Sequence, residues 1–159
     1  MQNGNGNAMR EVLGARWADV GGKVVALAEE FPEREYEFRP TDGVRSFAEQ
    51  LRHVAFWNAY VAKTLRGEEA DGSANELDAA SVPNKDAVVR ALRQSFDEVG
   101  AALQNGGSAP QPSELDSLVS FIEHGGEHYG QLVLYYRPKG LVPPASRSVC
   151  SSLRVRPCP

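Results

Sequence analysis

Histidine and cysteine are the scarce residues of this chain, and where they fall excludes several protein classes. Its 159 residues carry 3 histidines and 2 cysteines. Both cysteines, Cys150 and Cys158, lie within the last ten positions, which rules out a disulfide framework stapling the core and a cysteine-rich structural zinc site. No apolar run approaches the ~20 residues that span a bilayer. Excess basic charge is also missing: 17 Lys and Arg stand against 21 Asp and Glu, giving a formal charge of -4, the wrong sign for a nucleic-acid partner. The first residues, MQNGNGNAMREV, have neither the charged segment nor the apolar segment of a secretory signal, so a cytoplasmic protein is expected. Alternating strand patterns are absent at any useful length.

What is present is helical periodicity, in a length that suits one domain. Residues 1–8 read as a disordered leader, and a first helix is expected from about Met9 to Phe31. Its stripe is Val12, Trp17, Val20, Val24, Leu27 and Phe31, and Pro32 stops it. Ser46 followed by Glu49 forms a capping box before a second helix. That helix places Phe47, Leu51, Val54, Asn58, Val61 and Leu65 on one stripe and ends at Gly67. Asn84 or Ser81 caps a third helix with the stripe Val88, Leu92, Phe96, Val99 and Leu103. Ser113 with Asp116 opens a fourth that runs to Arg137, before Pro138 and Gly140. Four such helices predict an all-α four-helix bundle. Residues 66–84 are longer than a tight antiparallel turn needs, so they predict a crossover along the bundle between the second and third helices. The tail from 147 to 159 is Ser- and Arg-rich and is expected to be poorly ordered.

Within that frame His124 and His128 stand at i and i+4 on the stripe of Leu118, Phe121, Leu132 and Tyr135, so both imidazoles leave the inward face of the fourth helix. Two buried imidazoles without partners are costly, and a shared metal ion resolves the cost for both. Neutral imidazole suits zinc, nickel, copper or iron(II). His53 lies on the border of the second helix's stripe and can face the pair only if the two helices are neighbours. Three inward histidines would then leave one coordination position open, the pattern of catalytic rather than structural sites. The competing reading is three hydrogen-bonded core histidines. Gly125 and Gly126 interrupt the same helix, either for a close approach or as a tolerated weakness. His124 to His128 also spells H-x-x-E-H, a protease signature with Glu127 as base. That signature belongs to larger enzymes with a further ligand far downstream, and only 31 residues follow His128 here. Glu127 reads better as a residue that orients a ligand from behind, or as a solvated one.

The runs SFAEQLRHVAFWNAYV, EYEFRPTDGVRSFAEQLRHVA and HGGEHYGQLVLYYRPKGLVPPAS resemble the DinB/YfiT-like superfamily over about residues 9–146. The resemblance implies a four-helix bundle with a long link between the second and third helices, and His53, His124 and His128 as ligands of one divalent ion. Nickel or zinc are the implied metals, and a homodimer the implied assembly. Related members imply a metal-dependent transferase acting with a low-molecular-weight thiol such as bacillithiol or mycothiol, or hydrolysis at the same site. The alternative is a non-catalytic metal-binding protein of the stress response. Tyr129, Tyr60 and Glu127 are candidates for orienting a small-molecule substrate, with no catalytic residue assigned. The tail after Ser146 matches nothing in the family.

Overall fold

The computed structural model describes residues 3–105 and 111–147. Four long helices make up most of it: α1 (Asn3–Glu30), α2 (Phe47–Leu65), α3 (Lys85–Gln104) and α4 (Pro112–Tyr136). No strand occurs among the described residues.

Contacts between named residues give the helix directions. Trp17 stacks against Phe96 with ring centroids 5.1 Å apart, Arg10 reaches the Leu103 carbonyl, and Lys85 donates to the carbonyl of Phe31, so α1 and α3 run antiparallel. Arg10 pairs with Glu114 at 3.0 Å while Tyr136 Oη donates to the Leu27 carbonyl at 2.6 Å, so α1 and α4 run the same way. Between α2 and α4, Gln50 meets Gln131 and Trp57 meets Phe121, an antiparallel match. Residues 66–84, which join α2 to α3, pass back beside α2: the Leu77 N–H donates to the Arg52 carbonyl at 3.4 Å.

Each helix buries most of the stripe that its sequence offers. Val24 and Leu27 of α1, Phe31 directly after it, Phe47, Leu51 and Val54 of α2, Leu92 and Val99 of α3, and Leu132 of α4 are completely buried. At one end Phe31, Phe47, Tyr36 and Tyr136 form an aromatic cluster, with Phe31 and Phe47 centroids only 4.0 Å apart. Such ring pairs add directional attraction to a large buried area. The α2 start follows its capping box: Ser46 Oγ accepts the Glu49 N–H at 3.3 Å, and the Glu49 carboxylate accepts the Ser46 N–H at 2.7 Å. Asn84 caps α3 by accepting the Ala87 N–H at 3.0 Å.

Three sequence expectations need correction. Residues 3–8, read as a disordered leader, are helical: α1 starts at Asn3, Gly6 is buried, and Arg10 ties this end to α3 and α4. Helix already nucleated downstream extends at little cost when its end has something to pack on. Val12 is 62% exposed, because Leu13 rather than Val12 continues the 17, 20, 24, 27, 31 spacing inward. The cap of α4 is Gln111 rather than Ser113; Pro112 takes the first helical position, where a missing N–H costs nothing, and the Glu114 carboxylate accepts the Gln111 N–H at 3.3 Å. Arg147, first residue of the expected tail, pairs with Glu30 at 2.5 Å, and residues 148–159 lie outside the described residues.

Candidate metal centre

The antiparallel pairing of α2 and α4 brings the three histidines together. Among the described residues, one group of side chains could hold a metal ion, and it is His53, His124 and His128, whose ligand atoms all lie within 4.8 Å of one another. Ring centroids are 4.2 Å apart for His124 and His128, 4.8 Å for His53 and His128, and 5.5 Å for His53 and His124. His53 and His128 are each 7% exposed, and His124 is half-buried and forms the outer member.

For His53 the hydrogen bonding fixes which ring nitrogen is free. His53 Nδ1 lies 2.7 Å from the Asn75 carbonyl, an acceptor only, so Nδ1 carries the proton and Nε2 keeps its lone pair. His128 Nδ1 lies 3.1 Å from Gln131 Oε1 and is also in contact with the Gln50 amide. The Gln131 oxygen accepts whereas the Gln50 amide nitrogen donates, so either tautomer of His128 finds a partner at Nδ1; the Nδ1–H form, donated to Gln131, is the one that leaves Nε2 free. That nitrogen is 2.9 Å from Nε2 of His124. Two such nitrogens can share one proton, or both can turn their lone pairs on one cation; tetrahedral zinc bonds of about 2.0–2.1 Å would set them about 3.3 Å apart.

Burial acts in the same direction. It lowers the pKa of His53, against the pull of the Asn75 carbonyl. His124 and His128 are pushed down to about 4, first by burial and then by neighbouring imidazoles that would repel a second positive charge. The three rings are therefore neutral at neutral pH, the state in which imidazole binds a metal. The donor set, its spacing and the anchored Nδ1 proton of His53 fit one divalent ion.

Aromatic rings continue outward from the histidines. Phe121 is 5.9 Å from His124, Trp57 is 6.3 Å from His53 and 6.5 Å from Phe121, and Tyr60 is 5.1 Å from Trp57. Of the weaker candidates, Tyr60 thus joins the half-buried aromatic wall, Tyr129 packs half-buried against the core, and Glu127 is exposed and is not in the metal-capable group. The two glycines divide: a Cβ at Gly125 would meet Val20 of α1 at 3.4 Å, whereas at Gly126 it would meet nothing within 4 Å. Gln50, Asn75 and Gln131 were not singled out from the sequence. Gln131 follows His128 by three residues and Gln50 precedes His53 by three, a helical spacing that could have raised both, but nothing local marks Asn75. A groove of about 1000 Å³ between α1 and α3, over Trp17 and Phe96, contains none of the histidines.

A bundle of four long helices with three convergent neutral imidazoles defines a helical protein with a metal-capable centre. The family model of the DinB superfamily matches residues 16–132, which is most of the chain and includes all three histidines, and the chain belongs to that superfamily. No curated protein matches the chain.

Proposed function

We propose that this protein is a divalent-metal-dependent thiol S-transferase, with His53, His124 and His128 holding one nickel or zinc ion in a DinB/YfiT-type bundle. The observation that carries this reading is the donor count: three imidazoles converge, and no carboxylate or thiolate among the described residues joins them. Three protein ligands with a vacant fourth position are the arrangement of catalytic metal sites, whereas structural sites close the fourth position with a side chain. The same count favours catalysis over a purely metal-storing role in the stress response.

A bound divalent ion supplies Lewis acidity, which makes a thiol acidic and hydroxide accessible at neutral pH. The chain supplies the rest. The Asn75 carbonyl and the Gln131 amide orient two of the rings. Phe121 and Trp57 flank the centre with apolar surface. The half-buried His124 marks the side from which a small substrate would enter. A homodimer and a cytoplasmic location belong to the same proposal and are supported by the family resemblance and by composition.

The test is conjugate formation between a low-molecular-weight thiol and an alkyl halide such as monobromobimane. A carbon–sulfur bond forms, the carbon–bromine bond breaks, bromide leaves with the electron pair, and the thiol proton passes to solvent. Zinc- or nickel-loaded protein should accelerate this above the free-metal rate, and His124→Ala should return it to that rate. Equal rates for loaded wild type and variant, across several thiols, would remove the transferase reading.

A further inference from the structure

The stretch between α2 and α3 contributes a residue to the centre. Asn75 is the one non-glycine position with positive φ among the described residues, at 60°. Asparagine tolerates this left-handed conformation better than most residues, and it places the carbonyl of residue 75 against α2. There it accepts the Nδ1–H of His53 at 2.7 Å, while the side-chain Oδ1 of the same residue accepts the Nε1–H of Trp57 at 2.9 Å. His53 and Trp57 are one helical turn apart on one face of α2, so two ring N–H groups grip a single residue. Two more contacts seat the segment: a Cβ at Gly72 would stand 3.1 Å from Trp57 Cη2, so the chain lies flat on the indole, and the Leu77 N–H donates to the Arg52 carbonyl.

We propose that Trp57 and Asn75 form a clasp that makes His53 a metal ligand, by fixing its Nδ1–H tautomer and aiming Nε2 at His124 and His128. This rests on the metal-centre reading. Trp57 and Asn75 are positioning residues: neither supplies a donor atom to the ion, and both act through the His53 ring. Because the clasp spans α2 and the link, affinity for the ion and ordering of residues 72–77 are coupled, and coupling of this kind is reciprocal.

The clasp is tested with three variants and two readouts: Zn²⁺ affinity by competition with a chromogenic chelator, and the His53 tautomer by long-range ¹H–¹⁵N correlation on the metal-free protein. Trp57→Phe keeps the ring and deletes the donor. Asn75→Gly keeps the backbone angle accessible and the backbone carbonyl in place but deletes the side-chain acceptor of Trp57, at an exposed position where the fold is not at stake. Each should weaken Zn²⁺ binding by about tenfold or more, the usual effect of removing a group that orients a ligand, and each should shift His53 from the Nδ1–H form to a tautomer mixture. Asn75→Asp retains an acceptor and should restore both readouts. Wild-type affinity and tautomer in both Trp57→Phe and Asn75→Gly would overturn the clasp, as would an Asn75→Asp protein no better than Asn75→Gly. Were wild type to bind no Zn²⁺, the metal-centre reading would fall, and the tautomer on the metal-free protein would still decide the clasp.

Discussion

His124 and His128 turn their Nε2 atoms toward each other at 2.9 Å across one turn of α4, with the ring of His53 closing the third side from α2. Three neutral imidazoles in that arrangement are poor proton acceptors, which has a consequence for the pH dependence of the metal-free protein. Below pH 6.5 the unfolded chain's histidines take up protons that His124 and His128 refuse until about pH 4. The unfolded state then binds more protons, so stability falls as pH drops from 6.5 towards 4 and loses this dependence below that. Urea midpoints of the metal-free protein should be lower at pH 5 than at pH 7, and a His124→Gln/His128→Gln double variant should flatten the difference. An unchanged difference in the double variant would contradict it.

Metal should stabilise the fold, because the ligands come from two helices and the site is not assembled in the unfolded chain. At a free Zn²⁺ concentration one hundred times Kd, the gain is about 2.7 kcal/mol. For a domain of this size that corresponds to a rise in Tm of roughly 5–10 °C, since each kcal/mol shifts Tm by about 2–4 °C. Differential scanning fluorimetry with and without Zn²⁺, reversed by a chelator, checks this. An identical Tm in both conditions would count against a site spanning α2 and α4.

The capping box at the start of α2 can be tested apart from the metal. Ser46 is completely buried, accepts the Glu49 N–H and contacts the Glu37 carboxylate at 3.1 Å. Ser46→Ala should cost about 1–2 kcal/mol in chemical denaturation, at the upper end for a cap because the hydrogen bond to Glu37 is lost as well. Metal stoichiometry should be unaffected.

Two helical glycines should respond in opposite directions. A Cβ at Gly21 would fall 2.7 Å from Phe96 Cδ1, in a ring pinned against Trp17, so Gly21→Ala should destabilise by about 1–3 kcal/mol. Gly126→Ala meets nothing within 4 Å and should stabilise α4 by about 0.4–1 kcal/mol. Thermal melts of the two variants beside wild type decide both.

The parts of this protein that are legible in its sequence are those set by local periodicity. The capping box at Ser46 and Glu49 fixes the register of α2, and the i, i+4 spacing of His124 and His128 puts both on one face of α4, His128 buried and His124 half-buried. What the sequence withheld depends on tertiary placement. Asn75 reaches His53 from 22 positions away through a backbone carbonyl, which any residue type possesses. Gln50 and Gln131 look like surface amides until α2 and α4 are packed together. Asn3 to Ala8 read as loop by composition, and their helix gains from the packing of Gly6 and Arg10 that no local pattern reveals.

The most direct test of a three-histidine metal centre is elemental analysis of the purified protein beside His128→Ala, with circular dichroism confirming that the variant stays helical. Wild type should carry one equivalent of nickel or zinc, as purified or after reconstitution, and the folded variant should carry none. No metal in wild type after reconstitution, or the same metal content in the variant, would contradict the centre and leave three hydrogen-bonded histidines in a helical core.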